Sequence, residues 1–234
     1  MTRLRLRLRR DLRHAGNAAG IGGASDSYQA ALDDFALGVF RLPVETVAVG
    51  TLALLDIGEI TPDGLLGADI LLAFALDIDQ PNHTLTVYCA RPCTDARPSW
   101  SFPYHTVEGV TMWRDRLMLP RTINDVAGKA ILDTGAQRSV VRPDFAGPAG
   151  VSGEILNNDP SSPMHGASRE QTTFRLHRFD TVQIGNELAH NVPLPVVQLP
   201  NAQEDALVGG DFLRGRRIWL PAASRQVFFT APQP

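Results

Sequence analysis

The chain has 234 residues, 44% of them hydrophobic and 20% charged, with 20 glycines, 17 prolines and a formal net charge of −3. That balance excludes a disordered polymer and allows one large β domain or two small lobes around a shared core. The apolar stretches, such as Leu71 to Leu76, fall far short of the roughly 20 residues of a membrane-spanning helix, so no membrane span is expected.

Taken in chain order, residues 1–14 carry six arginines against Asp11 alone, a local charge of +5 that leaves −8 for the rest. Such an arm can touch nucleic acid or anionic lipid. However, Arg outnumbers Lys 21 to 1 over the chain, and Leu4, Leu6 and Leu8 alternate with Arg5, Arg7 and Arg9. The alternation reads as a strand with one apolar face, and no nucleic-acid partner is expected. Gly20-Ile-Gly-Gly23 lacks the βαβ frame of a phosphate loop. Asp77 and Asp79 alternate along a strand and read as solvated acids at a sheet edge. Cys89 and Cys93 fit no zinc spacing, the six histidines form no His-x-x-x-His pair, and no Gly-x-Ser-x-Gly is present; no metal or other cofactor is expected. Pro92, Pro98 and Pro103 surround Trp100 in a segment, 92–106, that reads as a linker. Arg116–Ile123 and Lys129–Leu132 predict two short strands around Asn124-Asp125 and Gly128. Further strands are predicted over 174–184, 192–199 and 226–230, with a short helix from Asp211 that closes near Gly215.

One pattern appears twice. Asp63-Gly-Leu-Leu-Gly67-Ala-Asp69-Ile-Leu71 returns as Asp205-Ala-Leu-Val-Gly209-Gly-Asp211-Phe-Leu213, at an offset of 142. The same offset carries Thr84–Tyr88 onto Gln226–Thr230, and Gly23-Ala-Ser25 matches Gly166-Ala-Ser168 at 143. Matches in the same order imply a duplicated plan: an N-terminal lobe over 1–91, the linker over 92–106, and a C-terminal lobe over 107–234. Asp69 and Asp211 occupy matching places and read as structural acids that bond nearby backbone or arginine.

The sharpest chemical signal is Ala130-Ile-Leu-Asp133-Thr134-Gly135-Ala136, followed after two residues by Ser139-Val-Val141. A buried strand runs into an acidic tripeptide, Gly135 permits a tight turn, and Thr134 offers a hydroxyl to an internal network. Such a loop holds a carboxylate at the floor of a cleft, where a second carboxylate would make the pair share a proton. About 75 residues later comes Leu207-Val208-Gly209.

Together these residues resemble the retropepsin-like aspartic proteases, specifically bacterial members with two lobes in one chain. The resemblance covers 112–230 and, in outline, about 18–88. It implies an all-β, two-lobed pepsin/retropepsin-like acid protease fold whose first lobe is incomplete. It also implies an aspartic-type endopeptidase acting on a peptide or protein substrate. By this resemblance Asp133 is the catalytic aspartate, Thr134, Gly135 and Ala136 complete its loop, and Val208 and Gly209 form the supporting strand. Met164 to Ser168, with His165 and Gly166 at its centre, resembles the flap. Gly20–Gly23 and Leu65-Leu66-Gly67 resemble the flap and supporting strand of the first lobe.

No other Asp-Thr-Gly or Asp-Ser-Gly occurs in the chain, although the chemistry needs two carboxylates. Three expectations stand: a start upstream of Met1, a homodimer in which each copy supplies Asp133, or a catalytically inactive relative that binds peptides or protein partners in the same groove. The beginning of the chain shows no signal peptide, and localisation is left open.

Overall fold

The computed structural model describes residues 13–21, 23–37, 40–42, 44, 46–50, 62–89, 97–166, 171–200, 203–221 and 225–233. The Leu4–Leu8 alternation, Cys93 and the flap positions Ala167 and Ser168 lie outside them. The fold is all-β: strands predominate and, among the described residues, no helix exceeds six residues. Among the same residues no helix is long and apolar enough to cross a membrane. Two compact units emerge, residues 1–64 with 163–172, and residues 65–162 with 173–234.

The first unit holds β1 (Arg13–Gly20), β2 (Gly23–Ala31), β3 (Phe35–Leu37), β4 (Phe40–Leu42) and β5 (Thr46–Gly50). β2 is central, flanked by β1 and β5, and β3 pairs with β4. Along β5 the half-buried Val47 and Val49 alternate with exposed neighbours, the period of a strand with one covered face. Ala30, Leu32 and Phe35 are buried.

The second unit begins with α1 (Ala68–Leu71), β6 (Phe74–Asp79), β7 (Thr84–Cys89), β8 (His105–Val107), β9 (Thr111–Trp113), β10 (Arg116–Ile123), β11 (Val126–Leu132) and β12 (Val140–Val141). It continues with α2 (Pro143–Ala146), α3 (Gly153–Asn158), β13 (Ser161–His165), β14 (Gln171–Ile184), β15 (Glu187–Val196), β16 (Ala206–Val208), α4 (Gly210–Leu213), β17 (Arg217–Leu220) and β18 (Val227–Phe229). The end of β13 and the start of β14 fall in the first unit. An eight-stranded sheet runs β13-β14-β15-β12-β16-β11-β10-β9. The β10–β11 hairpin turns through Asn124 and Asp125 with φ of 46° and 62°, the left-handed pair that matches the twist of a two-residue hairpin. The helix predicted from Asp211 is α4, and Gly215 follows it at φ 72°. α2 and α3 were not expected. Pro143 starts the first of these and the Ser152 hydroxyl accepts from the Ile155 amide at 3.2 Å to cap the second. The buried core includes Leu119, Ile123, Val140, Val141 and Phe179.

A five-stranded sheet runs β7-β6-β17-β18-β8. β6 and β17 are antiparallel, with Ile218 opposite Ile78, Trp219 opposite Asp77 and Leu220 opposite Leu76. Asp77 and Trp219 are separated by the repeat offset of 142, so the two repeats pair about a local two-fold at that position. β7 and β18, the next matched segments, flank them on either side. β6 is therefore interior, which corrects the reading of Asp77 and Asp79 as solvated edge acids. Asp77 is only 4% exposed and accepts two hydrogen bonds from the Arg217 guanidinium, at 2.8 and 2.7 Å. Asp79 lies 3.5 Å from the same guanidinium. The hydrogen bond from Arg217 to Asp77 is the main cause holding the arginine above its ordinary pKa.

Candidate active site

β11 carries the buried Ala130 and Ile131 into Asp133. It pairs in parallel with β16, setting Ile131 beside Leu207 and Leu132 beside Val208. β12 pairs with the other edge of β16, Val140 opposite Leu207. The segments before and after the loop 133–139 thus clasp one short strand between them, and two buried strand ends fix the loop.

The loop is pinned through its backbone. The Asp133 amide donates to the Val208 carbonyl at 2.9 Å, and the Gly210 amide donates to the Ala136 carbonyl at 2.7 Å. The Asp133 carboxylate accepts from the Gly135 amide at 2.9 Å. A methyl group at Gly209 would stand 2.6 Å from the Arg138 carbonyl oxygen and 3.0 Å from that of Ala136. Only a residue without a side chain permits this approach.

Thr134 and Gly135 are exposed and Ala136 is half-buried. The three line a polar cleft whose walls also carry Arg138 and Arg214. The hydroxyl that ties the loop to its support is that of Ser139. It donates to Asp211 Oδ1 at 2.6 Å and accepts from the Gly209 amide at 3.0 Å. Asp211 Oδ1 also accepts from the amides of Ser139 and Phe212, each at 2.8 Å. Asp211 therefore bonds backbone at the start of α4. Ser139 was legible only as part of the motif run, because its partner lies 72 residues away.

His165 ends β13 and is exposed, and Gly166 follows it. Both fall in the first unit, whereas Asp133 to Ala136, Val208 and Gly209 fall in the second. Within the first unit, a side-chain carbon at Gly166 would overlap the Ile21 carbonyl. Two glycine turns matched by the repeat therefore touch.

Chemically, Asp133 is a half-buried carboxylate at a strand end, held on one side by a backbone donor and able to accept a proton on the other. Among the described residues no group of three or more His, Cys, Asp or Glu side chains is placed to hold a metal ion.

Residues 119–215 match the family model described as gag-polyprotein putative aspartyl protease. Among solved structures, the chain is similar to a retropepsin-like aspartic protease from Rickettsia conorii, with a TM-score of 0.43 and 14% identity over 57% of this chain and 96% of that one. It is similar to the retroviral protease-like domain of Ddi1 from Leishmania major, with a TM-score of 0.28 and 22% identity over 42% of this chain and 72% of that one. The corresponding values for Basic 7S globulin from soybean are 0.38 and 9%, over 88% of this chain and 67% of that one. No curated protein matches the chain.

Proposed function

We propose that this chain, retropepsin-like over residues 119–215, is an aspartic-type endopeptidase with Asp133 as its catalytic carboxylate. The observation that carries the reading is the clasp: Asp133 leaves β11 with its amide on Val208, while β11 and β12 grip β16 from both edges. A carboxylate fixed this way can meet a second one across a water. The pair shares a proton, so one oxygen takes a proton from the water while the other acid protonates the scissile carbonyl. Water attacks the peptide carbonyl directly, with no covalent enzyme intermediate.

In this reading Thr134, Gly135 and Ala136 shape the floor of a groove that takes a peptide or protein, Val208 and Gly209 support it, and His165 and Gly166 belong to the flap hairpin. The second carboxylate is the Asp133 of a second copy in a homodimer. The chain is organised as an N-terminal lobe over 1–91, a linker over 92–106 and a C-terminal lobe over 107–234. Pairing of β6 with β17 about matched positions supports a duplicated origin for it.

A second reading is a non-catalytic module that binds peptides in the same groove. It is favoured by the single Asp-Thr-Gly in the chain. Mixing wild-type chain with increasing Asp133→Asn chain separates the two. If two Asp133 carboxylates act together, peptide cleavage falls faster than the wild-type fraction, because mixed pairs are inactive. Cleavage strictly proportional to that fraction overturns the paired mechanism, and absence of cleavage at every ratio favours the binding module.

A further inference from the structure

The polar cleft of the second unit has a volume of about 680 Å³, within the range of ligand sites. Thr134, Gly135 and Ala136 line it together with Arg138, from the same loop, and Arg214, which follows the last residue of α4. Both arginines are exposed. Among the described residues that line the cleft, Asp211 is the one acid, and its Oδ1 is taken up by the Ser139 hydroxyl and by the amides of Ser139 and Phe212. The chain as a whole is negative, at −3, yet the lining of this cleft carries one positive charge in excess.

Other arginines of the unit are committed within the fold. Arg142, Arg216 and Arg217 each hold a carboxylate oxygen, at 2.6, 2.7 and 2.7 Å. Arg121 lies against the Phe145 ring at 3.7 Å, and its three guanidinium nitrogens are buried without a hydrogen-bond partner. Arg138 and Arg214 differ from all of these, because among the described residues neither guanidinium has an ion-pair or hydrogen-bond partner and both are open to solvent. Gln80, also on the cleft wall, accepts the Gly215 amide on its Oε1 at 2.9 Å, which leaves its N–H groups to donate. The cleft beside the Asp133 loop is thus supplied with donors and cations that the fold itself does not use.

We propose that this cleft selects acidic side chains, Asp or Glu, in the peptide that lies over the Asp133 loop, with Arg138 and Arg214 as the specificity-determining residues. The inference rests on the reading of residues 133–136 as the floor of a peptide groove. A guanidinium presents two parallel N–H groups at the spacing of two carboxylate oxygens, and one acidic side chain cancels the excess charge of the cleft. Both arginines are exposed, so each ion pair forms in a high dielectric and is screened by salt. The preference for acid over amide is therefore several-fold and salt-sensitive.

Fluorescence anisotropy of the Asp133→Asn chain, which leaves the peptide intact during titration, tests the assignment with two labelled decapeptides, one alternating Glu with Leu and the other Gln with Leu. The acidic peptide should bind about fivefold more tightly at low ionic strength, and about 0.5 M sodium chloride should remove most of that difference. Adding Arg138→Gln and Arg214→Gln together should abolish the preference, and Arg138→Glu with Arg214→Glu should reverse it, with circular dichroism establishing that each variant is folded. The arginines of residues 1–14 are untouched in these variants, so a preference that survives belongs to them and overturns the proposal. Equal affinity for the two peptides, or binding of neither by the folded chain, overturns it without any variant. Cleavage by the wild-type chain is read separately from a random peptide library. Cleavage with no enrichment of Asp or Glu near the broken bonds contradicts this inference alone, whereas acid-selective binding without cleavage contradicts only the catalytic reading.

Discussion

Ser139 and Asp211 lie 72 residues apart and meet at 2.6 Å, hydroxyl to carboxylate, with the Gly209 amide donating to the same hydroxyl at 3.0 Å. One side chain thus joins the far end of the Asp133 loop to both the supporting strand and the start of α4. Hydrogen bonds to a carboxylate are stronger than neutral ones, so the position of Asp133 depends on a residue that need not touch substrate.

Ser139→Ala should therefore lower stability by about 1–2 kcal/mol, measured as a shift in urea midpoint without a change in slope. Peptide cleavage, if Asp133 is catalytic, should fall further than the folded fraction does. Ser139→Thr keeps the hydroxyl and should retain more of both.

Gly209→Ala should be more harmful than its single added carbon suggests. The methyl group meets the Arg138 carbonyl, which is backbone and cannot swing away. Overpacking of this kind costs about 1–3 kcal/mol. Thermal unfolding should detect it, and an unchanged Tm would show that the loop can move aside.

The Asp77–Arg217 pair sits where the two repeats meet. Arg217→Ala leaves a buried carboxylate without its counter-ion and should destabilise the fold by about 3 kcal/mol. The arginine's folded pKa is raised, so its contribution is fully present below the ordinary arginine value and is lost only as pH rises through the still higher folded one. The stability difference between wild type and Arg217→Ala should accordingly show no arginine titration between about pH 6 and 10 in urea unfolding.

Arg121 has the opposite sign. Desolvation lowers its pKa from the ordinary arginine value to about 10, against a smaller opposing effect of Asp205. A cation disfavoured in the fold penalises stability at every pH below the folded value, and the penalty fades as pH rises from there toward the unfolded value. Its full size is roughly 3 kcal/mol. Arg121→Met should therefore stabilise the chain by about 1–3 kcal/mol at neutral pH, read as a higher urea midpoint. A destabilised variant would mean that the guanidinium contributes more through packing on Phe145 than it costs by burial.

The strands and turns that were legible in the sequence are those specified locally. Asn124-Asp125 between two apolar runs announces its hairpin through residues that tolerate left-handed backbone, and Gly215 announces the end of α4. The repeat made the pairing of β6 with β17 intelligible, because matched segments can meet about a two-fold. What stayed hidden depends on distant partners. Asp77 looks like a solvated acid until Arg217, 140 residues away, is placed beside it. Ser139 looks like one polar residue in a motif until Asp211 closes on it. Arg121 occupies an inward position between Leu119 and Ile123 on one strand face, and nothing local tells a reader that its donors are left unpartnered. Helices α2 and α3 have four and six residues, too few for a helical period to stand out.

The most direct measurement is cleavage of a fluorogenic peptide library by the wild-type chain and by Asp133→Asn, with circular dichroism of both. The substitution keeps the shape of the side chain and the acceptor for the Gly135 amide, but removes the ionisable oxygen. The predicted result is pepstatin-sensitive cleavage by wild type and none by an equally folded variant. An Asp133→Asn chain that cleaves peptides at the wild-type rate would contradict the catalytic role of Asp133.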